Sequence, residues 1–388
     1  MRYSLAIFIN RKLISIDSIL PLLCEIKNIY PKLKIKVICP DFSTKQAIDK
    51  NLFIKDQIHK LGKLYVLSIR NSKNKRSFLK IINTLMLLSS IFIDCVISRI
   101  SFIHFGLLFN KPFKYLNILN ENKSFYCEND SYGFTQLMQD VTFLKKDSPI
   151  NVPNIKAESL IAFSKVWHLT GCYDKNKYYY FGTSKKRKFW IDLVLSQSDS
   201  YIKKALNEKN FDENSTLVSV MLGYFGELKY LSSKDSVLNS LEDTIKILSK
   251  YVDKEVVVFK PHVFTDLVIL DKILKKFNNF NYIITNLHPM VLATRSKFAI
   301  ANYYSTTLAD FNSLGIKTIE YTDYCSKALS LTGGGSLRPD KIDFFINKDL
   351  LKLSYTIKEL LESSVRIKYD YNNLNVYELF SALNGKKL

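Results

Sequence analysis

The residues from Val256 to Tyr321 constrain the fold more than any others in the chain. Val256-Val257-Val258-Phe259 is apolar at every position. Such a short run predicts a strand buried on both faces rather than an alternating, half-wet one. It stops at Lys260-Pro261-His262, and a helical pattern follows around Leu267 to Phe277. Tyr282-Ile283-Ile284 predicts a second strand. Asn286-Leu287-His288-Pro289 leads into a second helix, and Lys297 to Asn302 predicts a third strand. Tyr304-Ser305-Thr306-Thr307 stands at its end, a short helix runs to Gly315, and Ile316 to Tyr321 closes the unit. Strand alternating with helix in this way predicts a parallel α/β sheet.

In an open parallel sheet, ligands bind beyond the carboxyl ends of the strands. His262 falls just past one predicted strand end, and Ser305, Thr306 and Thr307 fall just past another, at a helix start. Thr307 and Asp310 have capping-box spacing. Free backbone N–H groups and the helix dipole favour an anion there, and the hydroxyls add donors. Phosphate or diphosphate binding is one reading of this cluster. Plain helix capping is the other, because Ser and Thr are preferred at helix starts in any case.

At these residues a resemblance enters. Lys260-Pro261-His262 resembles the K-P-H or H-P motif of bacterial glycosyltransferases that use CMP-activated sugars, the GT-B sialyltransferases and capsule Kdo transferases. Ser305-Thr306-Thr307, followed by Leu308-Ala309-Asp310 and Leu314-Gly315, resembles their second donor motif. The resemblance covers roughly the C-terminal half. It implies that Ser and Thr at the helix start hold the nucleotide phosphate.

Composition limits what else the chain can be. It has 388 residues, 47% hydrophobic and 13% aromatic, which allows two real cores and excludes a mainly disordered chain. The formal net charge is +20, but only 9 of the 56 basic residues are Arg. A nucleic-acid reader draws more on Arg for bidentate contacts. The charge therefore points to peripheral contact with an anionic membrane rather than to nucleic acid, and compositional bias is the bland alternative. Six Cys, at 24, 39, 95, 127, 172 and 325, form no CxxC, and the five His form no HxxxH pair. They read as buried, reduced thiols, with no metal site expected. Met1 to Asn10 lacks a small-residue cleavage pattern and reads as the first strand, so a cytoplasmic protein is expected, peripheral on the inner membrane. Ile81 to Ile100 is the most hydrophobic segment. Asn83 and Asp94 interrupt it, and it reads as a buried helix, with a surface-docking helix as the second choice.

The N-terminal half alternates in the same way. Strands are predicted over 3–9, 35–39 and 64–69, helices over 14–29 and 42–51, a loop over 70–76, and then the apolar helix to about Ser101. No GxGxxG follows the first strand. Lys123 to Cys127 predicts a strand that runs into Glu128-Asn129-Asp130 and turns at Gly133. A carboxylate at a strand end can act as general base toward an acceptor hydroxyl; an Asx turn with a solvated Glu is the bland reading. The placement resembles the acidic D/E-D/E-G motif of the GT-B sialyltransferases, which implies that Glu128 or Asp130 is the base. Lys185-Lys186-Arg187-Lys188 reads as a solvated basic loop or a contact for lipid phosphate, and Tyr178 to Phe181 as core packing or, second, as the lining of an acceptor cleft. Thr216 to Leu222 is a strong strand ending in Gly223-Tyr224-Phe225-Gly226, where glycine lets backbone approach a ligand closely. Leu331 to Ser336 reads as a mobile connection, with a loop closing over the donor as the second choice, and 349–363 as a helix.

The expected architecture is thus α/β: GT-B, two Rossmann-like domains with parallel sheets facing a cleft. Residues 1–210 form the acceptor domain, and 211–388 the donor domain with C-terminal helices packing back. The resemblance implies a metal-independent glycosyltransferase that moves an acidic sugar, a nonulosonic acid or Kdo, from a CMP donor to a bacterial surface glycan or glycolipid, in lipopolysaccharide or capsule synthesis. It needs no cofactor beyond the CMP-sugar co-substrate. His262 and Lys260 would meet the leaving phosphate, with Gly223, Ser305, Thr306 and Thr307 beside it. Two rivals stand: a GT-B transferase using a CDP-polyol or a UDP- or GDP-sugar, and a non-catalytic basic binding protein.

Overall fold

In the computed structural model the described residues are 3–11, 13–67, 82, 85–93, 99–106, 115, 124–127, 159–163, 178–228, 231–277, 280–303, 305–337, 339–363, 371 and 376–383. They pack as two units. Among them, 3–127, 159–190 and 371–383 belong to the first, and 191–363 to the second.

The first unit is built on strands β1 (Tyr3–Phe8), β2 (Lys34–Cys39), β3 (Gly62–Val66), β4 (Arg99–His104), β5 (Ser124–Cys127), β6 (Ser159–Ala162) and β7 (Tyr178–Tyr180). All pair in parallel, in the order β3-β2-β1-β4-β5-β6-β7. The order reverses between β1 and β4. Leu5, Ala6, Ile7 and Phe8 are all fully buried, as a central parallel strand covered on both faces requires. Helices α1 (Leu13–Ile29), α2 (Phe42–Lys50) and α3 (Leu52–Leu61) supply cover. The expected helix over 42–51 is α2, and a further helix, α3, follows it directly. Asn51 ends α2 and starts α3, its side chain accepting a hydrogen bond from the Ile54 N–H.

Two expectations are corrected here. The apolar helix does not reach Ser101, because Arg99–His104 is β4, paired with β1 from Tyr3↔Arg99 to Phe8↔His104. Periodicity cannot separate a short apolar strand from a helix end, and the pairing with β1 decides. Nor is the helix at 85–93 simply buried. Leu87 and Ile91 enter the core beside Phe8 and Phe102, while Leu85, Met86, Phe92 and Ile93 stay 51–65% exposed. None of the described helices is long and apolar enough to cross a membrane.

The basic run before α4 (Lys188–Asn207) is corrected too. Lys185 and Arg187 are not solvated. Each is buried and meets an acid of α1: Lys185 Nζ lies 2.5 Å from Asp17, and Arg187 makes a two-pronged contact with Glu25. The acids that pull the run inward sit some 160 positions upstream.

The second unit has strands β8 (Leu217–Met221), β9 (Val256–Lys260), β10 (Tyr282–Ile284), β11 (Ser296–Ala301), β12 (Lys317–Thr322) and β13 (Phe344–Asn347). Its sheet is parallel throughout, in the order β10-β9-β8-β11-β12-β13, so the reversal lies between β8 and β11. The helices are α5 (Lys234–Tyr251), α6 (Leu267–Leu274), α7 (Pro289–Ala293), α8 (Leu308–Ser313), α9 (Ser326–Leu331) and α10 (Leu350–Glu362). One core joins Val218, Val220, Phe259, Ile300 and Ile319 of the sheet to Leu241, Ile245 and Leu248 of α5 and Leu353 and Ile357 of α10. Ser233 caps α5 by accepting from the Ser236 N–H. Such a cap is worth ~1 kcal/mol, whereas each buried Leu or Ile contributes ~1.5–3 kcal/mol. Packing, not the cap, holds α5. The last helix, α11 (Val376–Leu383), joins the first unit: Phe380 stacks on Tyr30, the residue after α1, and Ser101 Oγ donates to the Leu383 carbonyl.

β12 itself carries a buried acid held by hydroxyl groups. Glu320 is fully buried and accepts hydrogen bonds from Tyr324 Oη at 2.8 Å and Ser336 Oγ at 2.6 Å. Burial pushes its pKa up, and the two hydroxyls only partly oppose this. Below the ordinary glutamate range both folded and unfolded chains keep the proton. As pH rises, the unfolded chain ionises first, so this acid withdraws stability until it ionises in the folded state. Glu320→Gln keeps the shape and removes the titration. Its melting temperature is expected to exceed the wild type's at about pH 8, with the gap shrinking toward about pH 4. A gap independent of pH would show that Glu320 does not titrate in this way.

Candidate functional site

Three strand ends meet at the reversal of the second sheet: those of β9, β8 and β11. Six of the residues singled out by sequence lie on them: Gly223, Lys260, His262, Ser305, Thr306 and Thr307. Lys260 is the last residue of β9, and Pro261-His262 follow it. Gly223 comes two residues after β8, and Ser305, Thr306 and Thr307 lie between β11 and α8. An open parallel sheet recruits ligands at this crevice.

The β9 end is a tight turn. The Thr265 N–H donates to the His262 carbonyl at 3.0 Å, and the His262 N–H donates back to Thr265 Oγ1 at 2.9 Å. The Phe264 N–H donates to His262 Nδ1 at 3.3 Å, and the two rings are 5.3 Å apart. His262 is exposed at the surface, as are Val263 and Phe264. Lys260 is half-buried, with Nζ 3.4 Å from the Pro261 carbonyl.

The β8 end is organised by two tyrosines. A Cβ on Gly223 would sit 1.1 Å from Tyr303 Oη, so only glycine leaves room for the phenol. Tyr303 Oη accepts from the Tyr224 N–H at 2.9 Å. Tyr224 in turn lays its ring where a Cβ on Gly226 would stand, 2.3 Å from its Cε1. The room predicted at the two glycines is therefore filled by Tyr303 and Tyr224. Thr265 links the two loops, its Oγ1 donating to the Gly223 carbonyl at 2.8 Å.

The β11 end differs from the expected capping box. Thr307 already has helical backbone, φ −70 and ψ −20, and its side chain makes no cap bond. Its hydroxyl pairs with Ser305 Oγ at 2.7 Å. Thr306 is half-buried, and its hydroxyl has no partner among the described residues. Asn302, just before, is buried and donates from Nδ2 to the Ser240 carbonyl and to Thr244 Oγ1, which fixes this strand end on α5.

Tyr303, Tyr224 and Thr265 were not singled out by sequence. The available signal was position: Tyr303 follows Asn302 at the strand end, and Thr265 closes the Lys260-Pro261-His262 turn three residues on. Glu128 and Asp130 lie outside the described residues. β5 ends at Cys127, directly before them. His104, at the β4 end in the same sheet, is fully buried beside Tyr126, and burial pushes its pKa down to about 3. It is a neutral packing group at ordinary pH. Cys24, Cys39 and Cys127 are buried as expected, but Cys325 is exposed. No group of His, Cys, Asp and Glu able to hold a metal ion occurs among the described residues.

No protein-family model matches the sequence, and no curated protein does. Solved structures do match. The UDP-bound structure of S. aureus MnaA is 12% identical, with a TM-score of 0.55 over 94% of this chain and 89% of that one. UDP-GlcNAc 2-epimerase from Neisseria meningitidis, bound to UDP-GlcNAc, is 12% identical, with a TM-score of 0.54 over 98% of this chain and 97% of that one. At such identities the likeness is one of fold. The chain has the GT-B architecture, two α/β units each on its own parallel sheet of seven and six strands.

Proposed function

We propose that this chain is a GT-B glycosyltransferase that takes its sugar from a nucleotide donor. The observation that carries this reading is the convergence of His262, Gly223 and the Ser305–Thr307 hydroxyls on neighbouring strand ends at the β8–β11 reversal. The donor's phosphate would lie there. His262 and Lys260 would stabilise charge on the leaving phosphate, with Ser305 and Thr306 as neutral donors. A UDP-sugar is the donor favoured, since two proteins of the same fold were solved with UDP and UDP-GlcNAc. A CMP-linked acidic sugar is the second reading, favoured by the Lys260-Pro261-His262 and Ser305-Thr306-Thr307 motifs. In either case Glu128 or Asp130 would be the base toward the acceptor hydroxyl. Full transfer by both Glu128→Gln and Asp130→Asn would remove that assignment.

The test is a thermal-shift panel of UDP, CMP, CDP and GDP. UDP is expected to raise the melting temperature most. A shift with CMP alone would select the second reading, and no shift with any of the four would sink both. Ser305→Ala combined with Thr306→Val should then abolish most of the UDP shift. A hydrogen bond to a charged group is worth ~1.5–3 kcal/mol, or roughly tenfold or more in affinity for each hydroxyl. A double variant that melts lower yet binds UDP normally would show the hydroxyls to be structural.

A further inference from the structure

The proposed function rests on His262 touching the donor, and a donor to an oxyanion must present its N–H in a set direction. The turn supplies one. His262 Nδ1 accepts from the Phe264 N–H, so the neutral ring must carry its proton on Nε2. A proton on Nδ1 would set two N–H groups against each other. The ring is thereby a donor at Nε2, the group an oxyanion needs.

Thr265 closes that turn and anchors it. Its N–H and Oγ1 grip the backbone of His262 from both sides, and the same Oγ1 donates to the Gly223 carbonyl on the neighbouring strand end. One hydroxyl thus accepts from the β9 loop and donates to the β8 loop, which uses both of its capacities. The next residue, Asp266, is committed to capping α6 through the Val268 and Ile269 N–H groups, so the far side of Thr265 is fixed as well.

We propose that Thr265 is the positioning residue of this site: by tying the His262 backbone to Gly223 it presents His262 as an Nε2–H donor at a set place beside the β8 loop. This rests on the reading of the site as a phosphate-binding one, and it makes a separate demand. Thr265→Val removes both hydroxyl bonds at nearly equal volume. Thr265→Ser keeps them. The exposed His262 N–H can turn to water, so folding should change little.

The experiment uses the full chain with nitrogen-15 in its five histidine rings, His262→Ala assigning the signal. Wild type and Thr265→Ser should show His262 as one Nε2–H tautomer. Thr265→Val should show a tautomer mixture or a broadened signal. Unchanged His262 ring signals in Thr265→Val would overturn the proposal, whether or not any turnover is found. Where turnover of a UDP- or CMP-sugar is measured, Thr265→Val should lower kcat ~10–100-fold with a smaller change in nucleotide affinity, because misplacement by about 1 Å can cost ~100-fold. Thr265→Ser should restore it. A wild-type kcat in Thr265→Val, with His262→Ala inactive, would also overturn it. If His262→Ala turns over normally while the ring signals still respond to Thr265→Val, the phosphate reading fails and the positioning does not.

Discussion

His262→Ala is expected to lower turnover ~100–1,000-fold while leaving the melting temperature within a degree or two of the wild type. The rate argument is electrostatic. A departing nucleotide phosphate gains negative charge in the transition state, and a prearranged N–H at that point acts more strongly there than on the ground state. The stability argument comes from exposure. The imidazole is at the surface, its ring lies against an equally exposed Phe264, and the turn that carries it is closed by two Thr265 bonds to the His262 backbone, with the ring adding one longer bond at 3.3 Å. Steady-state kinetics and a melt on the same preparation check both halves. Turnover within threefold of wild type would take His262 out of the reaction, and a large fall in melting temperature would make it a structural residue.

The sheet of the second unit could be read from the sequence because its strands are short apolar runs punctuated by chemistry-bearing residues. Tyr282-Ile283-Ile284 is β10 to the residue, and the strand ends at Lys260 and near Asn302 follow directly. What could not be read was anything that depends on a distant partner. Arg99–His104 looks like the tail of a helix until β1 is beside it. Lys185 and Arg187 look like a solvated run until Asp17 and Glu25 arrive from α1. Thr307 and Asp310 have the spacing of a capping box, yet the backbone turns one residue early and Thr307 bonds to Ser305 instead. Gly223 reads as a place where a ligand approaches the backbone, but something in the chain itself fills that room. That the something is Tyr303, eighty residues on, has no local signature.

Loss of Arg187 is expected to be the most destabilising of the single changes considered. The guanidinium is 2% exposed and faces Glu25 with two nitrogens, Nε and Nη2, the latter at 3.0 Å. Taking both charges out of water is expensive, and their mutual attraction with two hydrogen bonds is what repays it. Arg187→Ala therefore does more than delete a favourable contact. It leaves the Glu25 carboxylate, itself only 19% exposed at the side chain, without its cation. Breaking a buried pair from one side costs ~3–5 kcal/mol, against a total stability of ~5–15 kcal/mol for an ordinary fold. The same argument predicts the opposite result for removing both charges. Arg187→Met with Glu25→Leu replaces the pair by apolar groups of similar length, in a region where Trp190 and Phe53 already pack edge to face. That double variant is expected to lie within ~1 kcal/mol of the wild type or above it. Urea unfolding of the wild type, the single variants and the double variant gives the coupling directly. A cost below ~1 kcal/mol for Arg187→Ala would mean that the pair is solvated and contributes as a surface bridge does. A double variant as unstable as the single one would mean that the arginine's packing, not its charge, is what α1 depends on.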